Sequence, residues 1–341
     1  MKVGLVGFQA SGKSTVFTAV AGQASDPGRG ALASARVPDL RLAPIAEHCH
    51  PRRIVEAELG FADLPSGHFP PPGATIAPAT LAEMRTLDVL AEVIDGFSGS
   101  TDPVSASTAL SDELLLADLG VVEKRLDRLD REGGQGQERK LLETCKGALE
   151  EGSPLARLDM AAGGLERLSG FRFLTLKPRI VIINVDEAGL ADGLAAEAAT
   201  AAALGIEAHS LAVMSAPIEC ELAALDGSDQ PEFLADLGLE APARDRFIRA
   251  CYQTLDLITF FTAGEKELRA WSLARNEPAV SAAGEVHSDI ARGFIRAEVI
   301  SYDDYVGLGG EAASRDAGKL RLEGRDYIVS DGDVIHFRFN V

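Results

Sequence analysis

Cysteine is sparse: four residues (Cys49, Cys145, Cys220, Cys251) in 341, widely separated and with no C-x-x-C pair. That spacing offers no disulfide framework and reads as reduced thiols, the pattern of a cytoplasmic protein. Basic charge is also short. With 33 Lys+Arg against 52 Asp+Glu the formal net charge is −19, so the chain as a whole repels nucleic acid and anionic membrane. Neither membrane binding nor specific DNA binding is expected, and any RNA contact must use a local patch. No apolar run is long enough to span a bilayer, and the short N-terminal one is not a signal peptide. Zinc spacing is absent. His48-Cys49-His50 has no second ligand pair; adjacent residues in an extended segment point to opposite faces, and residues two apart in a helix do not share one. Trp271 is the only tryptophan and reads as a core residue of a strand.

What the chain does have is a hydrophobic content of 46%, enough for a substantial core, and a length that suggests two or three domains. Its first 17 residues are MKVGLVGFQASGKSTVF. The apolar run Val3–Val6 leads into GFQASGKS, Gly7–Ser14, which fits G-x-x-x-x-G-K-[ST] and is followed by a helix-compatible stretch from Thr15. This is strand, phosphate loop, helix in the order the motif requires. Gly7 and Gly12 let successive N–H groups along Gln9, Ala10 and Ser11 turn toward a phosphate, and the helix adds its positive end. Lys13 is placed to reach the β- and γ-phosphates, and the Ser14 hydroxyl to ligate Mg²⁺.

Five candidate strands, Lys2–Val6, Ala57–Ala62, Val89–Ile94, Ile180–Asn184 and His209–Val213, alternate with helical stretches. The pattern predicts an α/β fold with a parallel sheet covered on both faces. Gly7, Asp63, Asn184 and Ser215 fall at carboxyl ends of these strands, where such sheets bind ligands. Leu115, Leu119, Val122, Leu126 and Leu129 form a heptad seam, and a second amphipathic helix carries Leu141, Leu142, Cys145 and Leu149 beyond a Gly/Gln linker. Residues 105–171 therefore read as a helical coiled-coil hairpin inserted into a nucleotide domain of 1–104 and 172–253; the other reading is two ordinary packing helices. From 254 to 341 the texture is that of a small α+β unit, with strands at Thr259–Thr262, Leu268–Leu273 and Phe294–Ile300 and a turn at Asp331-Gly332. With 10 Lys/Arg against 15 Asp/Glu over 255–341, it is no general basic module.

Together these pieces resemble the YchF family, the Obg-like ATPases of the translation-factor class of P-loop proteins. The likeness rests on GKSTVF at the start, VPDLRL (37–42), ELLLADLGVVEKRL (113–126), FLTLKP (173–178) and NVDE (184–187). It rests most of all on FFTAGEKELRAW (260–271), GFIRAEVIS (293–301) and GKLRLEGRDYIVSDGDVIHFRFNV (318–341). The resemblance implies a P-loop G domain, the coiled-coil insertion and a C-terminal TGS module, a β-grasp fold similar to ubiquitin. It also implies ATP binding in preference to GTP, and a ribosome or ribosome-associated RNA or protein as partner. The helical arm is a candidate surface for a homodimer.

Within that resemblance, Asp63 is expected to hold Mg²⁺ through water; otherwise it is a loop acid after a strand. Asn184 and Glu187 of N-x-x-E are expected to read the base, with less guanine selection than N-K-x-D because Val185 replaces the lysine and Glu187 the last aspartate; the Asp186/Glu187 pair can still accept guanine donors, so GTP stays open as ligand. Ser215-Ala216 is expected to buttress the base through backbone N–H groups. Several departures concern turnover. The stretch Ser25–Ser34 lacks the threonine of switch I. Gly67 comes one place late after Asp63, and prolines follow it. Glu92 stands where the family places a histidine; a carboxylate there orients water or acts as a base, or else is a strand-edge or salt-bridged acid. His68, in Asp63-Leu64-Pro65-Ser66-Gly67-His68, is similar with one extra residue to the D-x-P-G-H of elongation-factor GTPases; otherwise it is a solvated loop residue. The leading expectation is a slow Mg²⁺-dependent ATPase, with Lys13, His68 and Glu92 as candidate catalytic residues. The alternative is a hydrolysis-deficient nucleotide-binding scaffold that acts through its coiled coil and TGS module.

Overall fold

The structure is a computed structural model that describes residues 1–22, 32–64, 69–71, 74–99, 102–133, 136–159, 164–225 and 228–340. His68, and most of the Ser25–Ser34 stretch, lie outside the described residues. In chain order the strands are β1 (Lys2–Val6), β2 (Leu32–Val37), β3 (Ile54–Val55), β4 (Ala57–Asp63), β5 (Val89–Asp95), β6 (Arg179–Asn184), β7 (Leu211–Met214), β8 (Leu257–Thr262), β9 (Leu268–Ala274), β10 (Phe294–Ile300), β11 (Arg321–Glu323) and β12 (Val334–Phe339). The first eight helices are α1 (Lys13–Ala21), α2 (Leu42–Cys49), α3 (Pro78–Met84), α4 (Pro103–Glu132), α5 (Gln137–Glu150), α6 (Gly164–Leu168), α7 (Glu187–Leu204) and α8 (Ala216–Ala224).

Contacts divide the chain into two units, Met1–Ala33 with Gly60–Thr254, and Ser34–Leu59 with Leu255–Val341. The first is built on a sheet of order β2-β4-β1-β5-β6-β7. Strands β4, β1, β5, β6 and β7 pair in parallel. Parallel strands with both faces covered read as continuous apolar runs, and Val3, Leu5, Val6, Leu90, Val93 and Ile182 are accordingly buried. One face packs Val6 and Leu90 on Leu110, Leu114 and Leu174. Further along the same face, Ile94, Val181, Ile183 and Val213 join Leu190 and Leu222. The last strand of this sheet starts later than the sequence suggests: Ala208–Ser210 is a single 3₁₀ turn and β7 begins at Leu211.

The inserted hairpin is present but does not begin as a separate body. Asp102 caps α4, accepting from the Ser105 N–H at 2.9 Å, and Pro103 takes the first helical position. One continuous 30-residue helix then runs to Gly133. Its first half contributes Leu110 and Leu114 to the core over the sheet. Its second half carries Val122 and Leu129 against Leu142, Cys145 and Leu149 of α5.

The second unit is a mixed sheet of order β11-β10-β12-β8-β9-β3. The helix Ala279–Val286 packs on it through Ala279, Ala282 and Ala283. Read from the sequence as part of the nucleotide domain, residues 34–59 instead supply this unit with α2 and with β3, which pairs in parallel with β9. The reason is pairing between distant parts of the chain: Arg41 on the approach to α2 holds Asp331 at 2.8 Å, and the Arg52 N–H donates to the Glu265 carbonyl at 3.0 Å. Asp331-Gly332 forms a turn, with the Gly332 N–H on the Thr259 carbonyl at 2.8 Å. Trp271 lies half-buried in β9, stacked on Phe260 with centroids 6.4 Å apart. Among the described residues no helix is long and apolar enough to cross a membrane.

Candidate nucleotide site

β1 delivers Gly7 to the carboxyl edge of the first sheet, beside the ends of β4 and β5. A Cβ on Gly7 would lie 2.3 Å from the Val93 carbonyl, so glycine lets the loop cross β5 closely. Gly12 caps α1 with φ of +85°, and a Cβ there would lie 2.2 Å from the Asn184 amide nitrogen. Gln9 and Ala10 are exposed at the loop tip, and Ser11 is buried behind it.

Lys13 is 3% exposed. Its ammonium donates to the carbonyls of Gly7 at 2.7 Å and Phe8 at 3.1 Å and lies 4.8 Å from the centre of the Phe69 ring. An ammonium has three donors, so one remains for an anion beyond the two carbonyls. Burial pulls its pKa down to about 8, against the attraction of Asp63.

Asp63, at the end of β4, is 1% exposed. Its Oδ2 accepts from the Ser14 hydroxyl at 3.3 Å, while Oδ1 is buried with no hydrogen-bond partner. Burial raises this carboxyl above its ordinary pKa, while Ser14 and Lys13 act in the opposite sense. An unpartnered buried carboxylate oxygen next to a hydroxyl is costly in isolation and is the hard-oxygen pair a Mg²⁺ ion takes. The residues present therefore fit the ion. The Ser11 hydroxyl is likewise buried without a partner.

The base side is different. Asn184, at the end of β6, is 3% exposed. Its amide nitrogen donates to the Ser11 carbonyl at 3.2 Å and its Oδ1 accepts from the Ala216 N–H at 3.1 Å. Asn184 thus ties the phosphate loop to the start of α8. The Ala216 N–H, expected to face a base, is taken by that tie. Ser215 caps α8, its carbonyl accepting from the Glu219 N–H at 3.0 Å. Asp186 caps α7 through the Gly189 N–H at 2.8 Å, leaving Glu187 exposed on the first turn. Thr15 is exposed on α1; its carbonyl accepts from the Cys220 thiol at 3.7 Å.

Glu92 takes the salt-bridged alternative. It is 2% exposed, and its Oε2 accepts from Arg179 at 2.5 Å and from the Ser107 hydroxyl at 2.9 Å. A carboxylate so held lines the back of the loop as a tie between β5, β6 and α4. A cavity of about 110 Å³ lies there, bounded by Gly7–Ser11, Glu92–Asp95 and Ala106. Sequence reasoning missed Phe69 and Arg179. The signal for Phe69 was a lone large apolar residue in a proline-rich stretch, which must bury itself somewhere. Arg179, a charge opening a buried strand, called for a buried partner.

The family model YchF-GTPase_C, described as a protein of unknown function (DUF933), matches residues 257–340. The chain is similar throughout to three curated relatives, each named ribosome-binding ATPase YchF. That of Pasteurella multocida is 37% identical over 366 residues, covering 100% of this chain and 99% of the relative. That of Bacillus subtilis is 36% identical over 368 residues, covering 100% of both. That of Escherichia coli O157:H7 is 35% identical over 364 residues, covering 100% and 99%. The structure of the Schizosaccharomyces pombe YchF GTPase superposes with a TM-score of 0.88 at 27% identity, covering 99% of this chain and 97% of that one. With identity at this level over its whole length, the chain belongs to the YchF family.

Proposed function

We propose that this protein binds a nucleoside triphosphate with Mg²⁺ on the Gly7–Thr15 loop, hydrolyses it slowly, and uses the bound state to govern docking to a ribosome. The observation that carries the nucleotide reading is the cluster of unused polar capacity at one point. Lys13 keeps one donor, Asp63 Oδ1 and Ser11 Oγ lack partners, and all three are buried at the start of α1. A phosphate chain completes such a cluster. Lys13 offsets phosphate charge in a low-dielectric setting, and the helix start adds its dipole. Ser14 and Asp63 would hold Mg²⁺, which when bound supplies charge neutralisation on the phosphate oxygens. Asn184 acts by holding the loop, and Glu187 is the side chain left to meet the base. Val185 in place of lysine and Glu187 in place of aspartate favour ATP over GTP. The ribosome enters from the relatives, which are named ribosome-binding ATPases.

Titration calorimetry with ATP and with GTP, both with Mg²⁺, followed by phosphate-release assays on the same samples, tests the reading. Tighter ATP binding and release that vanishes in Ser14→Ala are the expected results. Equal affinity of Lys13→Ala and the parent overturns the site. Failure to co-sediment with ribosomes at low salt in every nucleotide state overturns the partner.

One observation favours the alternative of a nucleotide-bound scaffold without turnover: Glu92 is tied to Arg179 and Ser107. Multiple-turnover phosphate release, lost in Ser14→Ala, removes that alternative.

A further inference from the structure

At the other edge of the first unit, where β6 and β7 begin, lies a groove of about 630 Å³. Its walls are α4, the C-terminal end of α7 and the loops leading into β6 and β7. Its size is that of small-molecule pockets. It belongs to neither the phosphate loop nor the base side, and nothing in the proposed function uses it.

Its chemistry is opposite in sign to the chain. Arg157, Lys177 and Arg179 line it in a protein of net charge −19. Among the described residues neither Arg157 nor Lys177 makes an ion pair. Arg157 bonds the Gly205 carbonyl at 3.4 Å, and Lys177 bonds the Leu87 carbonyl. Burial lowers the Lys177 pKa; Arg172 and Arg85 act in the same sense, and Asp88 and Asp118 oppose it. Arg179 is turned toward Glu92 but also reaches the hydroxyls of Ser107 and Ser111, both of which line the groove. Hydroxyls complete the lining. The Oγ1 of Thr254 is enclosed and has no hydrogen-bond partner. The acids of the groove are fewer and peripheral: Asp112 is exposed on α4, and Glu207 is paired with His209 at 3.3 Å.

Two cations without carboxylate partners, Arg157 and Lys177, gathered with the unpartnered Thr254 hydroxyl in a concavity of this size, form a receptor for a phosphate group. We propose that this groove is a second ligand site, for a small phosphorylated molecule no larger than a mononucleotide. A small ligand fits better than a nucleic-acid strand. A compact anion inside the groove meets the local cations, whereas a strand laid across the face meets the acidic surface around it.

Inorganic pyrophosphate is the probe, titrated into the full chain with ADP saturating the phosphate loop. The expected result is one further equivalent bound, weakened at least tenfold in Arg157→Gln and in Lys177→Gln but unchanged in Ser14→Ala. Arg157 is exposed, so its variant tests binding without threatening the fold, and matched melting curves verify this for both. Binding that disappears only in Ser14→Ala, or that ignores Arg157 and Lys177, overturns the second site. So does the absence of any bound pyrophosphate. If a short single-stranded RNA binds instead, and the same two variants abolish it, the small-ligand assignment falls. Because the two sites answer to different substitutions, failure of ATP binding and failure of the groove read out separately.

Discussion

The two halves of the nucleotide site are built on opposite terms. On the phosphate side, buried polar atoms are left without partners: Asp63 Oδ1 and Ser11 Oγ, with a Lys13 donor to spare. On the base side, Asn184 closes both of its amide ends within the protein, on the Ser11 carbonyl and the Ala216 N–H. The first half is unfinished without a ligand; the second is finished and holds the first in shape. Stability and affinity should therefore part company between them. Removing a group from the base side costs folding free energy directly. Removing an unpartnered one from the phosphate side costs binding and leaves the free protein as stable or more so.

The largest effect is expected from Asn184→Ala. It leaves the Ala216 N–H and Ser11 carbonyl buried and unpaired, at about 1–3 kcal/mol each, visible as a lower denaturation midpoint without nucleotide. Lys13→Ala should instead weaken ATP binding by roughly ten- to a hundredfold, the worth of about 1.5–3 kcal/mol for a charged hydrogen bond, with a smaller loss of midpoint than Asn184→Ala because relief of a buried charge offsets the freed Gly7 and Phe8 carbonyls. Calorimetry and denaturation on the same variant separate the two. Asp63→Asn should raise the free protein's stability by up to about 1 kcal/mol, because a neutral amide is cheaper to bury than a carboxylate. The same variant should lose the Mg²⁺ dependence of its nucleotide affinity. A fall in its midpoint would erase the contrast.

The smallest effect is in pH. The Lys13 pKa of about 8 in the folded chain lies below its ordinary 10.5. Between those values the unfolded chain binds more protons, so stability of the free protein rises with pH across that window. Nucleotide affinity runs the other way, falling as pH passes about 8 and the ammonium is lost. Lys13→Met should flatten both trends, read by denaturation and by calorimetry across pH 7–10.

The phosphate half was legible in the sequence because its geometry is local. Gly7 to Thr15 is one contiguous turn, and Asp63 follows an apolar strand whose end is plain. The parallel strands were legible for the same reason. The base half was not, because the role of Asn184 depends on Ser11 and Ala216, 173 and 32 residues away. Glu92 showed both its options in the sequence, and only the packing of Arg179 and Ser107 chose between them. Residues 34–59 were misplaced because their allegiance rests on Arg41 and Asp331, 290 residues apart. Asp118 is the single charge in the apolar run 114–122 of a long helix, a sign that it needs buried partners: it is fully buried and accepts from Arg85, from the Leu174 and Thr175 N–H groups and from the Thr175 hydroxyl.

That buried carboxylate turns α4 into a lever. Arg85, just past α3, grips Asp118 at 2.7 Å, and Glu113 one turn earlier accepts from the Ile76 N–H at 3.0 Å. Both grips are on the chain segment that follows Asp63 and Phe69, which ties α4 to the strand end beside Lys13. From Asp118 to the helix end at Glu132 is about 20 Å at 1.5 Å per residue, and a swing of about 10° at the base carries the tip roughly 4 Å. Any turn of the helix about Asp118 would thus be enlarged where the arm ends.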